Sequence, residues 1–312
     1  MIISLSLNPC IDKSAWVARF QLDAPNRIRV ERLDVGGKGV NVARVVKALG
    51  GEEWLAGFDY AGNPVARAME AEGVRHRLLP LPGRLRENMK LKETKTGRTI
   101  EISEAGAEAT EKDVAFVLDA VLSALRPGDW VTLSGSLPPG VGADTYRRFC
   151  QAVQEKGGLA AVDCDGIALR EALQAKPALI KPNAQEFFAL TGVDPMQEKE
   201  TLNACQKLLC QGVGRICLSR GGEGAWLVSG DGVWQCPAAQ VEALGTQGAG
   251  DTLLAGLLVA LSRGADNGEA LRFASAAAGA SVMRPGTLLC RREDAQALLP
   301  GLRAKKISVP FE

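Results

Sequence analysis

Residues 245–251 read GTQGAGD, and an apolar stretch with a helical pattern begins directly after them. Three small residues precede the carboxylate at the predicted start of this helix, in the order Gly248, Ala249, Gly250, Asp251. Backbone amides of small residues can surround an anion, and a helix N-terminus adds positive potential. The stretch therefore predicts an anion hole for a phosphoryl group, with a carboxylate placed to take a proton from an attacking hydroxyl. In a purely structural alternative Asp251 only caps the helix, which explains the aspartate but not the small residues before it.

A second glycine-rich turn lies near the start of the chain. Residues 36–41 read GGKGVN, and residues 41–49 continue with a helical pattern that ends at Gly50. Glycines let backbone amides approach a ligand, and Lys38 could supply a point charge to a phosphate. A plain loop-to-helix turn is the alternative at this position. Neither turn is a dinucleotide-binding G-x-G-x-x-G, and the chain contains no Walker A sequence.

Short apolar strands alternate with helical patterns along most of the chain. Strands are predicted at residues 2–7, 54–58, 130–133, 159–162, 179–180 and 215–218. Helical patterns at residues 143–155 and 184–190 separate several of them. This alternation predicts an α/β fold, with a mainly parallel central sheet flanked by helices in a single domain over residues 1–312.

Two segments break this alternation with a pattern of period two. In residues 27–33 the apolar Ile28 and Val30 share one face, and in residues 85–91 one face carries Arg86, Asn88 and Lys90. A turn at residues 95–98 then leads to a further strand at residues 99–103. These strands predict a small separate sheet, inserted at about residues 13–35 and 85–106. An ordinary surface hairpin with solvated cations is the alternative.

The composition excludes several classes of protein. Hydrophobic residues make up 46% and charged residues 23% of the 312 residues, which is an ordinary globular balance. The 37 basic and 36 acidic residues leave a net charge of +1, which argues against nucleic acid as the main partner. Because the sequence has neither a signal-peptide pattern nor a membrane-length apolar run, we expect no membrane partner and a cytoplasmic location.

Cysteine and histidine usage narrows the possible chemistry. The eight cysteines form no C-x-x-C pair and no cluster with histidine, so buried free thiols are expected rather than zinc sites or disulfides. The one histidine, His76, lies in a charged stretch, and no G-x-S-x-G motif accompanies it. Acid–base chemistry is therefore expected from carboxylates or lysines.

The two glycine-rich turns resemble the N-terminal and C-terminal signatures of the PfkB (ribokinase-like) carbohydrate kinase family. Further segments match this family in the same order: NPCID at 8–12, SGSLPPG at 134–140, KPNAQE at 181–186, SRGGEGA at 219–225 and a PGT that ends at 287. The resemblance covers essentially the whole chain. It implies a ribokinase-like α/β fold with the small sheet as a lid, and transfer of a phosphoryl group from ATP to a sugar.

The resemblance also implies a role for each matching residue. Asp251 would be the catalytic base, and the anion hole would consist of Gly248, Ala249 and Gly250. Hydroxyl groups of the sugar would be bound by Asp12, Gly37 and Asn41. ATP would be bound by Lys181, Ser219, Gly221 and Gly224. Mg²⁺, the implied cofactor, would be organised through water by Asn183 and Glu186.

Two features resemble the branch of the family that phosphorylates fructose 1-phosphate or tagatose 6-phosphate. Lys38 stands in the GGKG of that branch, and residues 86–90 match its R-x-N-x-K. The acceptor phosphate would then be bound by Lys38, Arg86, Asn88 and Lys90. The implied activity is ATP-dependent conversion of fructose 1-phosphate to fructose 1,6-bisphosphate, with tagatose 6-phosphate and fructose 6-phosphate as alternative acceptors. The resemblance also implies a homodimer that pairs through the lid.

Some positions depart from the family pattern. Gly245 replaces the usual Asp, Asn or Ser, SEAG at residues 103–106 replaces NEPG, and Arg220 adds a charge to the nucleotide loop. These departures motivate an alternative of another class, a non-catalytic sugar-phosphate sensor, although the intact GAGD argues against it. A nicotinamide dehydrogenase is suggested only by the alternating fold, and the missing G-x-G-x-x-G disfavours it.

Overall fold

The computed structural model describes residues 1–286 and 288–307. In chain order, the strands are β1 (Ile2–Ser6), β2 (Cys10–Val17), β3 (Ile28–Gly36), β4 (Glu53–Asp59), β5 (His76–Pro80), β6 (Arg86–Glu93), β7 (Thr99–Ser103), β8 (Trp130–Ser134), β9 (Leu159–Asp163), β10 (Leu179–Ile180), β11 (Arg215–Ser219), β12 (Ala225–Ser229), β13 (Gly232–Cys236) and β14 (Lys305–Ile307). The α-helices are α1 (Lys38–Ala48), α2 (Pro64–Ala71), α3 (Glu111–Ala124), α4 (Thr145–Glu155), α5 (Gly166–Leu173), α6 (Ala184–Thr191), α7 (Glu198–Cys210), α8 (Ala249–Ser262), α9 (Asn267–Val282) and α10 (Arg292–Leu298).

A large sheet of ten strands runs through the molecule in the order β14-β13-β12-β11-β10-β9-β8-β1-β4-β5. The strands from β11 to β5 pair in parallel, and β12 to β14 add an antiparallel edge. Every residue of β1 is buried, as expected for a central parallel strand with helices on both faces. The mainly parallel α/β fold predicted from the alternating pattern is confirmed.

The helices form two apolar layers, one on each face of the large sheet. Side chains from α2 to α7 pack on one face, and those of α1, α8, α9 and α10 pack on the other. Helix α8 is buried on all sides over residues 251–260, because it lies between α1 and α9. This packing fixes the position of α8 from Asp251 onward relative to the large sheet.

A small sheet of four strands in the order β3-β2-β6-β7 stands apart from the large one, as the period-two segments predicted. Strand β2 was not predicted as a strand, and a β-bulge between Ser14 and Ala15 explains this because it interrupts the alternation. The register places Asp12 beside Asn88, and Ser14 beside Lys90. The small sheet therefore presents one polar face whose residues come from distant parts of the chain.

The parallel strands place several polar residues at one edge of the large sheet. At or directly after the carboxyl ends of neighbouring strands lie Ser6, Ser134, Asp163, Lys181 and Ser219. Ligands of open α/β sheets bind outside these carboxyl ends. Within residues 1–286 and 288–307, no helix is both long and apolar enough to cross a bilayer.

Candidate active site

A cavity of about 1380 Å³ lies at this edge, between the large sheet, the small sheet and the N-termini of α1 and α8. It brings together every site residue predicted from the sequence except Glu186, which lies behind the wall and contacts Lys38. The alternative of an unrelated surface hairpin for the small sheet is therefore wrong, because its polar face lines this cavity. One site is formed by segments that lie more than 200 residues apart.

Asp251 lines the cavity from the first turn of α8. The helix begins after Gly248, which has the left-handed φ of 69° that glycine adopts most readily. The carboxylate of Asp251 makes no capping bond to the helix. Its Oδ2 instead accepts a hydrogen bond of 2.8 Å from Nδ2 of Asn41. The capping alternative for Asp251 is therefore wrong, and the carboxylate is free to face the cavity.

The surroundings of Asp251 adjust its proton affinity. Burial raises the pKa of this carboxyl, and the nearby negative charge of Asp163 raises it further, to about 6. Lys38, Asn41 and Lys181 act in the opposite direction by stabilising the charged form. Asp251 is therefore mostly ionised at pH 7 and is a stronger proton acceptor than an exposed aspartate.

Helix α1 begins at Lys38, earlier than the sequence pattern predicted, because Gly37 makes the turn into it. Gly37 has a φ of 106°, and a Cβ atom there would lie 3.2 Å from Cα of Pro9. The turn thus needs a residue without a side chain. As a result Lys38 is the first residue of the helix and points across the ends of the strands.

The ammonium group of Lys38 lies among carboxylates of the large sheet. Its Nζ is 2.9 Å from Oδ1 of Asp163 and 3.3 Å from Oε1 of Glu186. Burial alone would lower the pKa of Lys38, but Asp163, Glu186 and Asp251 outweigh it and hold this pKa above its usual value. Lys38 was predicted to act with the cations of the small sheet, whereas its contacts in the structure are Asp163 and Glu186.

The sequence patterns did not reveal Asp163, although it directly follows the strand predicted at residues 159–162 and is the last residue of β9. It is only 1% exposed, and its Oδ2 lies 3.1 Å from Nζ of Lys181. Burial opposes its ionisation, but Lys181 and Lys38 outweigh that cost and keep the pKa of Asp163 below its usual value. An acidic residue at the carboxyl end of a central strand was the signal that could have revealed it.

The small sheet contributes cations of a different kind. The guanidinium of Arg86 donates hydrogen bonds of 3.1 Å to the carbonyl oxygens of Asn8 and Glu104, and one of 3.3 Å to Oδ1 of Asn88. Among the described residues, no carboxylate lies within 4.0 Å of it. Lys90 lies 3.7 Å from Glu101, whose side chain is largely exposed. The positive charge of Arg86 is thus left available for an anion.

The floor of the cavity beneath these cations is polar and closely packed. Asp12 is 5% exposed, and its Oδ1 is 3.6 Å from the thiol of Cys10, which donates to it. A Cβ atom on Gly36 would lie 2.5 Å from Oδ2 of Asp12. Asn88 donates a hydrogen bond of 3.2 Å to Sγ of Cys10. Asp12 and Asn88 are therefore held side by side, facing the same space.

The predicted metal-binding pair forms a capping box at the start of α6. Oδ1 of Asn183 accepts from the backbone amide of Glu186 at 2.8 Å, and Oε2 of Glu186 accepts from that of Asn183 at 2.8 Å. In the described part of the chain, no group of three or more His, Cys, Asp or Glu side chains could hold a metal ion. A divalent ion here would depend on water and on phosphate oxygens of a ligand for most of its coordination.

The end of the cavity beyond β11 is lined mostly by small, apolar residues. Ser219 ends β11, and a turn that includes Gly221 and Gly224 follows it. Beyond this turn most lining residues are small and apolar, although Gln240 and Ser275 lie among them; the apolar ones are Ala238, Ala239, Val241, Ala243, Ala278, Gly279 and Val282. Small apolar walls next to a glycine turn can hold a flat ring whose phosphates point toward Lys181.

Three residues that depart from the family pattern make defined contacts near the cavity. The guanidinium of Arg220 lies 4.7 Å from the centre of the Trp226 ring, so its charge is partly engaged there. The carbonyl of Ala105 accepts a 3.0 Å bond from Asn8, and Gly245 donates its amide to the carbonyl of Val282. Thr287, the last residue of the PGT segment, lies outside the described residues.

The fold and the site together define a class of protein. A phosphotransferase that acts on a hydroxyl group needs a base and several cations around the transferred group. The site has a buried carboxylate at a helix start, two lysines that share Asp163, and cations on the lid. The chain belongs to the pfkB family of carbohydrate kinases, whose family model matches residues 4–294. The resemblance of the sequence motifs to this family is thereby confirmed.

Individual relatives agree with this membership. The chain is 36% identical over 284 residues to a 1-phosphofructokinase of Rhodobacter capsulatus, a match that covers 88% of each protein. The crystal structure of phosphofructokinase-2 from Escherichia coli in complex with substrates and products is 27% identical, with a TM-score of 0.89, and the match covers 96% of this chain and 98% of that one. The tetrameric inhibited form of the same Escherichia coli enzyme gives a TM-score of 0.87 at 27% identity over the same shares.

Proposed function

We propose that this protein transfers the γ-phosphoryl group of ATP to a hydroxyl group of fructose 1-phosphate, giving fructose 1,6-bisphosphate and ADP. The observation that carries the proposal is the buried Asp251 beside the turn of residues 248–250, in one cavity with the uncompensated Arg86. The 1-phosphofructokinase named among the relatives supports this acceptor.

The chemistry assigned to the large-sheet side is the transfer itself. The acceptor oxygen forms a bond to the γ-phosphorus while the bond from that phosphorus to the bridging oxygen of ADP breaks. Asp251 takes the hydroxyl proton, and the amides of residues 248–250 stabilise charge on the phosphoryl oxygens. Lys181 lies next to this turn, since a Cβ atom on Gly250 would be 3.4 Å from its Nζ.

The acceptor is assigned to the small sheet and to the floor beneath it. Asp12, Gly37 and Asn41 would bind sugar hydroxyl groups, and Arg86, Asn88 and Lys90 would bind the acceptor phosphate. A phosphate satisfies a guanidinium that otherwise contacts only carbonyl and amide oxygens. Lys38 lines the same cavity, and because its contacts are Asp163 and Glu186, we assign it to the phosphoryl group in transfer rather than to the acceptor phosphate.

ATP is assigned to the apolar end of the cavity, with Lys181, Ser219, Gly221 and Gly224 along its phosphates. Mg²⁺ would accompany it, held mainly by phosphate oxygens and water, with Asn183 and Glu186 orienting that water. When bound, the ion offsets charge on the β- and γ-phosphates. Free thiols and the use of ATP and a phosphorylated sugar fit a protein that works in the cytoplasm.

A homodimer that pairs through the lid is part of this proposal. The face of the small sheet that points away from the cavity carries exposed apolar side chains, namely Ile28, Val30, Leu33 and Ile102. A second copy of the chain would cover them, and the tetrameric form of the Escherichia coli relative is compatible with association. Light scattering should give a dimer mass that Val30→Lys reduces, while Leu22→Lys, outside the sheet, leaves it unchanged.

The proposed activity is tested by an assay of ADP release. Fructose 1-phosphate, tagatose 6-phosphate and fructose 6-phosphate are compared side by side, with and without a chelator of divalent ions. The proposal expects the highest kcat/KM for fructose 1-phosphate and loss of activity with the chelator. Binding of a sugar phosphate without ADP release would instead favour the sensor, and preference for another acceptor would reassign the substrate.

A further inference from the structure

A buried carboxylate outside the set assigned above holds two cations of the site. Each oxygen of Asp163 has its own lysine partner: Oδ1 lies 2.9 Å from Nζ of Lys38, and Oδ2 lies 3.1 Å from Nζ of Lys181. The side chain of Asp163 is fully buried, that of Lys181 is 4% exposed and that of Lys38 is 33% exposed. Asp163 thus bridges two ammonium groups that come from different elements.

Both ammonium groups lie close to the turn and the carboxylate that the proposed function assigns to the transferring phosphoryl group. Lys181 adjoins the turn at Gly250, and Lys38 is close enough to Asp251 to influence the pKa of that carboxyl. Lys38 also contacts Glu186, on the side assigned to the nucleotide phosphates. Two like charges in one partly buried place repel each other unless a counter-charge lies between them.

We propose that Asp163 is a positioning residue, which holds Lys38 and Lys181 as a pair of cations against the phosphoryl group in transfer. The inference rests on the proposed kinase function. The carboxylate itself need not touch the substrate, because both of its oxygens already face the lysines. The pair meets the negative charge that builds on the phosphoryl oxygens, so its effect belongs to kcat rather than to binding of the acceptor.

A second interpretation of the same contacts is purely structural: a buried ion network that only stabilises the fold. The chain offers a matched control for it in Asp129, which is 7% exposed and pairs with the N-terminal ammonium of Met1 at 2.7 Å. Asp129 precedes β8, whereas Asp163 lies at the carboxyl end of β9. A structural role alone would make the two aspartates behave alike.

The experiment compares Asp163→Asn, Asp129→Asn, Lys38→Met and the double variant Asp163→Asn/Lys38→Met. For Asp163→Asn, kcat per folded molecule should fall by about a hundredfold, with the KM for fructose 1-phosphate changed by less than about threefold. Asp129→Asn should lower thermal stability and keep kcat. In the double variant the two losses should be far from additive, because Asp163 acts partly through Lys38.

Several outcomes would overturn the inference while leaving the kinase proposal intact. These are an Asp163→Asn enzyme that keeps more than about a third of wild-type kcat, losses that add in the double variant, or a loss explained by the unfolded fraction alone. If Asp163→Asn does not fold, Lys38→Met carries the test, since a raised KM for the acceptor would return Lys38 to the acceptor phosphate. A wild-type protein without phosphotransfer to any of the three sugars would instead refute the proposed function.

Discussion

The two halves of the active site handle charge in opposite ways. On the large-sheet side, the carboxylate of Asp163 pairs with Lys38 at 2.9 Å and with Lys181 at 3.1 Å. Asp251 accepts a hydrogen bond from Asn41. On the lid, the guanidinium of Arg86 contacts only uncharged oxygens among the described residues. The charged groups on the large-sheet side are therefore already paired with one another, whereas the lid carries a cation without an internal counter-charge among the described residues.

This difference suggests that the two sides have different roles, one in the transition state and the other in binding the acceptor. Groups that act on the transition state must be oriented in advance, because reorienting them during the reaction would raise the barrier. A charged group contributes more binding free energy to the acceptor when it does not first have to break an ion pair within the protein. Substitutions on the large-sheet side should therefore change kcat, and substitutions on the lid should change kcat/KM for the acceptor.

The largest effect is expected at Asp251. Asp251→Asn keeps the size of the side chain but cannot accept the hydroxyl proton, so kcat should fall by about 10²–10⁴-fold. Steady-state kinetics with saturating ATP and acceptor measure this, with Asp266→Asn as a control because Asp266 only caps α9. A variant that retains more than about a tenth of wild-type kcat would remove Asp251 as the base, and Asp12 would be the next candidate.

The same substitution should increase stability. The pKa of Asp251 is about 6 in the folded protein, against 3.8 as the ordinary value, so ionisation of the buried carboxyl costs about 3 kcal/mol above pH 6. Below pH 3.8 the carboxyl is protonated in both states and the cost disappears. Denaturant unfolding should show Asp251→Asn more stable by about this amount at pH 8, with the difference reduced to about 0.6 kcal/mol at pH 4. An equal difference at both pH values would contradict the raised pKa.

A smaller loss is expected on the lid. Arg86→Ala removes charge-assisted bonds to the acceptor phosphate and should lower kcat/KM for fructose 1-phosphate by about tenfold to a hundredfold. The KM for ATP should change much less. Arg84→Ala is the matched control, because its side chain is 68% exposed and pairs with Glu104 at the surface. Equal losses for both substrates would mean that Arg86 acts by supporting the lid rather than by binding the acceptor.

The smallest effect is the dependence of the wild-type rate on pH. Protonation of Asp251 removes the base, so kcat should be constant near pH 8 and should fall as the pH drops through about 6. At pH 5 the loss should be about tenfold. The rate of Asp251→Asn should not show this acidic limb. A limb that persists in the variant would come from another group, such as a phosphate of the substrate.

Much of this molecule was predictable because its signals are local. A buried parallel strand is a short apolar run, and the lid strands alternate with period two, so β4, β8, β9, β11, β6 and β7 were all foreseen within a few residues. The small-residue turn before Asp251 and the turn at Gly37 are likewise contiguous, since each needs glycine at a particular backbone conformation. Strand β2 escaped because its bulge breaks the local pattern.

Tertiary structure alone decided how these local pieces act on one another. Lys38 and Asp163 are 125 positions apart and Asn41 and Asp251 are 210 apart, so no spacing in the sequence could show that they touch. The same holds for the raised pKa of Asp251, because burial and the charge of Asp163 arise only when the strands and helices pack. The sequence by itself indicated the glycine turns and most of the polar side chains that line the cavity, but not Asp163. Folding determined that Lys38 and Lys181 share the carboxylate of Asp163, because the interaction between charges depends on their distance in space.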